Sequence, residues 1–229
     1  MNKIIVANMK MNLNNNEIKK YLDSLNNKEL ENVIFCPTNI YIPYFIEKDL
    51  NVVIQNISKY ENGNHTGEIS CNQASSIGVK YAIIGHSEIK DSKETINKKI
   101  KLCKQNNIIP ILCVGERKKS IYKRQIVKRQ LDNYLKNISM DKIIIAYEPV
   151  FMINSNNTIN VKYLEKMIKY IKKITQKYKI NDIIVLYGGS IDKNNIKSIN
   201  GIKDLNGFLI GNSSLKVDKL LYLKEVTKI

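Results

Sequence analysis

Three polar clusters lie where apolar runs end, and together they carry the parts of an acid–base site for an anionic substrate. The run Ile143–Tyr147 is apolar on both faces and is followed at once by Glu148 and Pro149. Its carboxylate therefore emerges where proline takes the chain out of a sheet. A second run, Tyr81–Ile84, leads through Gly85 into His86-Ser87-Glu88. Removing a weakly acidic proton beside a carbonyl needs a positioned base and a donor for the oxygen that becomes negative. Glu148 and His86 are candidates for those parts. The first run, Ile4–Ala7, continues into Asn8-Met9-Lys10, and period-two alternation puts Asn8 and Lys10 on one side. A lysine in that position is tolerable where an anion or a carboxylate meets it, or where it snorkels to the rim. Two glycine-bearing turns, Tyr187-Gly188-Gly189-Ser190-Ile191 and Leu209 to Leu215 through Gly211 and Asn212, have the composition of backbone concavities that hold anions.

These clusters need a scaffold that brings strand ends together. Eight short apolar runs can be counted: Ile4–Ala7, Val33–Cys36, Val52–Ile54, Tyr81–Ile84, Ile108–Val114, Ile143–Tyr147, Ile183–Tyr187 and Phe208–Ile210. Helical spacing separates most of them, as in Val127, Leu131, Tyr134 and Ile138, or Val161, Leu164, Ile168, Ile171 and Ile174. Asn14 to Asn16 read as a loop and a first helical turn, Asn160 as an N-cap, and Asp91 with Glu94 as an acidic capping box. The residues after Ile84 read as a helix start. Alternating strands and helices imply parallel βαβ units. Eight repeats favour closure into a (β/α)8 barrel, whose chemistry is done at the carboxyl ends of its strands and whose phosphates commonly sit after strands seven and eight. An open doubly wound sheet is the alternative, but no G-x-G-x-x-G follows an early strand.

At 229 residues the chain suits a single barrel domain over 1–229. The net charge of +16 invites a nucleic-acid reading. The lysines are scattered singly along amphipathic stretches, however, and the one dense run, Arg117 to Arg124, reads as the exposed start of the fifth helix. No nucleic-acid or membrane partner is expected. Cys36, Cys71, Cys103 and Cys113 lack metal-ligand spacing, and Cys36 and Cys113 fall in apolar runs. Lys3 is followed by only four apolar residues before Asn8, so no leader is read, and the expected location is the cytoplasm.

The chain resembles the triosephosphate isomerase family throughout. The likeness rests on Asn8-Met9-Lys10, Gln55-Asn56, Thr66-Gly67-Glu68-Ile69-Ser70, Gly85-His86-Ser87-Glu88, Cys113-Val114-Gly115-Glu116, Ala146-Tyr147-Glu148-Pro149-Val150, Gly188-Gly189-Ser190 and Gly211. It implies interconversion of dihydroxyacetone phosphate and glyceraldehyde 3-phosphate through an enediolate, without cofactor or metal. Glu148 would be the general base, neutral His86 the electrophile, and Lys10, held by Glu88, the neutraliser of substrate charge. Asn8 would assist at the enediolate oxygen, and Asn154, Ser190, Gly211 and Asn212 would meet the phosphate. A homodimer is implied in which the loop around His65 and Thr66 enters a pocket beside the partner's Lys10.

Departures fall mainly in the lid, Pro149-Val150-Phe151-Met152-Ile153-Asn154-Ser155-Asn156, where asparagine replaces both family glycines. Asn212 replaces another in the last turn, and Ile89-Lys90 stands for the usual Arg-Arg. These changes predict an active isomerase with slower turnover or looser binding. Competing readings are another phosphate-binding barrel isomerase, which would lack the Lys10, His86 and Glu148 set, and a weakened basic barrel that binds acidic partners.

Overall fold

The computed structural model describes residues 3–153 and 158–228. Its strands are β1 (Ile4–Asn8), β2 (Val33–Cys36), β3 (Val53–Ile54), β4 (Tyr81–Ile84), β5 (Ile109–Val114), β6 (Ser139–Tyr147), β7 (Lys179–Tyr187) and β8 (Gly207–Ile210). They form one sheet in the order β2-β1-β8-β7-β6-β5-β4-β3, paired in parallel throughout. A bridge between Phe35 and Val52 brings its two edges together, and Asn51 O accepts the Phe35 N–H at 2.8 Å. The sheet thus curls into the expected barrel. Around it lie α1 (Asn15–Ser24), α2 (Ile42–Ile46), α3 (Cys71–Ser76), α4 (Lys93–Gln105), α5 (Lys123–Tyr134), α6 (Val161–Thr175), α7 (Ile196–Asn200) and α8 (Val217–Val226).

Side-chain alternation divides the apolar residues into two cores. Each strand sends at least one residue to the barrel interior: Val6, Ile34, Val53, Ile83, Ile111, Ile144, Leu186 and Leu209, with Cys36, Cys113 and Ala146 as second contributions from β2, β5 and β6. Their neighbours, such as Ile5, Phe35, Ile84, Leu112, Ile145 and Phe208, pack outward against helical residues including Ile18, Ile100, Leu131 and Ile168. Burying such a side chain stabilises the fold by roughly 1.5–3 kcal/mol relative to leaving it exposed. β8 starts with Gly207 because a Cβ there would lie 2.0 Å from the Ile4 carbonyl oxygen. Only glycine lets β8 approach β1 so closely.

Several local expectations are corrected. β6 and β7 begin four residues before their apolar runs, because Ser139–Lys142 and Lys179–Asp182 pair with one another where they are largely exposed. Lys142 and Asp182 form an ion pair there at 3.2 Å. α5 ends at Tyr134, so Ile138 is buried in the following turn instead of continuing the helix. Only Lys123 and Arg124 of the basic run belong to α5; Arg117 to Tyr122 precede it. Asp91 and Glu94 form no capping box: Ser92 caps α4 by accepting the Thr95 N–H, while Asp91 meets Lys99. Asn160 caps α6 as expected, and Asn14, read as loop, caps α1 just before its first turn at Asn15 and Asn16. All four cysteines are free and buried. Among the described residues no helix is long and apolar enough to cross a membrane.

Candidate active site

β1 delivers Asn8 and Lys10 to the barrel mouth in two different ways. Asn8 follows Val6 by two residues, keeps the strand's alternation and is buried. The strand stops there, and Lys10 adopts a left-handed backbone with φ 53°. For a residue other than glycine this conformation persists only when its surroundings over-determine it. Here they do. The Asn8 Oδ1 accepts the Lys10 N–H at 3.0 Å, and the Lys10 carbonyl accepts from Thr38 Oγ1 at 2.9 Å and Gln55 Nε2 at 2.8 Å. Lys10 Nζ donates to Glu88 Oε1 at 2.6 Å, the pairing the resemblance implied. A turn, not the alternation of an extended strand, brings Lys10 to the same side as Asn8.

The expected helix start at His86 is also replaced by a turn. The Ile89 N–H bonds the His86 carbonyl at 2.8 Å, and α4 begins only at Lys93. One backbone amide acts on the imidazole: the Glu88 N–H donates to Nδ1 at 3.3 Å. Nε2, on the other side of the ring, lies 3.6 Å from Glu148 Oε1. The ring itself is buried.

Glu148 continues the β6 ladder for one more bond, with its N–H on Val114 O at 2.8 Å. Its side chain is 5% exposed, and burial pushes the carboxyl above its ordinary pKa, against the opposing pull of His86, the Cys113 thiol and Lys10. Oε2 has no hydrogen-bond partner among the described residues. Gly188, at the end of β7, makes the room. A Cβ there would lie 2.7 Å from Glu148 Cγ and 2.9 Å from Oε1.

Asn8, Lys10, His86, Glu148, Ser190, Gly211 and Asn212 all line one cavity of about 230 Å³. Gly211 sits beside Lys10, since a Cβ on it would be 3.7 Å from Lys10 Cε. Ser190 is engaged: its N–H and Oγ both donate to the Met152 carbonyl, at 3.2 and 2.9 Å. This ties the turn after β7 to the segment after β6. Asn154, with Ser155 and Asn156 of the lid, lies outside the described residues. His65 does not line the cavity; it stacks on Tyr60 with ring centroids 3.6 Å apart.

Sequence reasoning gave no role to Glu116, although it lies two residues past β5, close to where Glu148 lies one residue past β6. Glu116 is 1% exposed and accepts from Tyr147 Oη at 3.0 and 3.1 Å and from Tyr163 Oη. Burial first, and then the Glu116 carboxylate, raise the pKa of both phenols and keep them donors. The position of Glu116 at a strand end was the available signal. Its partners could not be read from spacing.

A closed (β/α)8 barrel that gathers carboxylate, imidazole and ammonium in one polar cavity at its strand ends is a barrel enzyme of the acid–base kind. The family model described as "Triosephosphate isomerase" matches residues 3–227. The chain is 38% identical to "Triosephosphate isomerase" of Wigglesworthia glossinidia brevipalpis, covering 97% of this chain and 95% of that protein. It is 34% identical to the protein so named from Mesomycoplasma hyorhinis, covering 98% of each. The same figure holds for that of Buchnera aphidicola subsp. Cinara cedri, over 99% and 98%. The chain belongs to the triosephosphate isomerase family.

Proposed function

We propose that this chain interconverts dihydroxyacetone phosphate and D-glyceraldehyde 3-phosphate, with Glu148 and His86 as its proton-transferring pair. The supporting observation is the 3.6 Å approach of Glu148 Oε1 to His86 Nε2 beside the ammonium of Lys10. The Glu148 carboxylate takes a proton from the carbon next to the carbonyl, and Oε2, without a partner among the described residues, is the oxygen free to do so. Nδ1 of His86 accepts the Glu88 amide, so in the neutral ring the proton is on Nε2, which donates to the substrate oxygens. Lys10 stabilises the negative charge that develops on the enediolate oxygen. Asn8 adds its amide: its Oδ1 is held by the Lys10 N–H, leaving Nδ2 for the substrate.

Turns after β7 and β8, with Ser190, Gly211 and Asn212, hold the phosphate, and Asn154 is a further residue assigned to it by the family likeness. For Ser190 this means exchanging its bonds to Met152 for bonds to phosphate. The chain works as one barrel domain, in the cytoplasm, and pairs into a homodimer through the loop around His65 and Thr66. Stacking of His65 on Tyr60 supports that contact by ordering the loop in advance.

A coupled assay with glyceraldehyde 3-phosphate on the wild type and on Glu148→Asp tests the reading. Withdrawing the carboxylate by one methylene is expected to lower kcat at least about 10²-fold without unfolding the protein. Equal rates for the two proteins would remove Glu148 from the mechanism.

A further inference from the structure

α4 buries a lysine where its pattern calls for an apolar residue. Lys99 lies among Ile96, Ile100, Leu102 and Cys103, all buried, and its own side chain is 5% exposed. Removing an ammonium from water costs several kcal/mol unless strong bonds replace its hydration. Two do so. Lys99 Nζ donates to Asp91 Oδ2 at 2.6 Å and to Asn56 Oδ1 at 2.9 Å. Asp91 belongs to the loop after β4 and Asn56 to the loop after β3. Both loops end on Lys10. Gln55, next to Asn56, donates to the Lys10 carbonyl at 2.8 Å, while Glu88, three residues before Asp91, accepts from the Lys10 ammonium at 2.6 Å. A lysine strained at φ 53° is therefore held by its backbone from one loop and by its charge from the other. Lys99, which lines no part of the cavity, joins the two.

We infer that Lys99 is a positioning residue: through Asp91 and Asn56 it locks together the loops after β3 and β4 and so fixes the ammonium of Lys10 for the substrate's negative charge. The inference rests on the reading of Lys10 given above. It predicts a selective defect, with weakened recognition of an anion and a nearly intact proton-transfer pair, because among the described residues Lys99 bonds to Asp91 and Asn56 and to neither His86 nor Glu148, and the bond of the Glu88 N–H to His86 lies within the loop itself.

The test compares wild type, Lys99→Met, the paired Lys99→Met/Asp91→Asn, and Asp91→Glu. Two readouts are taken: steady-state kinetics with glyceraldehyde 3-phosphate, and the rise in Tm produced by inorganic phosphate. Lys99→Met alone strands a carboxylate and should melt early. The paired variant removes both charges and should recover much of the loss. In the paired variant KM is expected to rise about 5- to 10-fold with kcat within about 2-fold, and phosphate protection should fall in parallel. Asp91→Glu, which keeps the charge, should restore a KM near wild type. Should the paired variant fail to fold, Asn56→Ala releases the loop after β3 from an intact ion pair, and KM must still rise. Wild-type KM and full phosphate protection in the paired variant, or in Asn56→Ala if that one is used, would overturn the inference. A wild-type protein inactive on triose phosphates would instead overturn the reading of the site, and phosphate protection would then decide the fate of the tie.

Discussion

Two glutamates leave neighbouring strands at the same end of the barrel and are buried almost equally, yet their surroundings differ. Glu116, after β5, is 1% exposed and Glu148, after β6, is 4% exposed. Glu116 is met by two phenols, one from the residue before Glu148 and one from α6. Glu148 has an imidazole beyond hydrogen-bonding range and an oxygen with no partner among the described residues. A buried carboxylate with its lone pairs filled is a joint between elements. One that is left short of partners carries an unmet desolvation cost, which bound substrate can relieve. The same residue type at neighbouring strand ends thus serves cohesion in one loop and chemistry in the next.

Substituting Gly188 would break this contrast most severely. In Gly188→Ala the new methyl lands on the Glu148 side chain, a flexible group that can swing aside. The fold should lose little stability, whereas kcat should drop about 10²-fold because the base is displaced by about an ångström. Stopped assays and thermal melts on one preparation would separate the two effects.

The pH dependence sharpens the contrast at intermediate size. Burial raises the Glu148 pKa in the folded protein, so folded chains bind its proton more tightly than unfolded ones. Between the ordinary and the raised pKa, stability therefore falls as pH rises, and kcat/KM falls as pH is lowered through the raised value. Denaturant titrations at several pH values should show this loss in wild type and not in Glu148→Gln. The smallest effect belongs to Tyr163→Phe, which removes one of the donors to Glu116. It should destabilise the fold by about 1–2 kcal/mol and leave kcat within a few-fold, as read by urea melts and the coupled assay.

Legibility in the sequence followed the physics of burial. Strands enclosed on both faces must be apolar, so Ile83, Ile111, Ile144 and their neighbours announced themselves, while the largely exposed beginnings of β6 and β7 did not. His86, Glu148 and Lys10 stood out as polar residues ending apolar runs and as matches to a family pattern. The left-handed turn at Lys10, the turn in place of a helix at His86, and Ser92 as the cap instead of Asp91 depend on hydrogen bonds that local spacing does not encode. Glu116 and Lys99 were harder still. Their partners Tyr163 and Asn56 lie 47 and 43 residues away, so only the closed barrel brings them together.

The most direct test pairs Glu148→Gln with Glu116→Gln in one experiment that reads kcat and Tm. Glu148→Gln is expected to lose at least about 10²-fold in kcat with Tm unchanged or higher. Glu116→Gln should lose about 1–3 kcal/mol of stability while it keeps most of the rate. A Glu148→Gln protein that turns over normally, or that melts below Glu116→Gln, would contradict the contrast between the two glutamates.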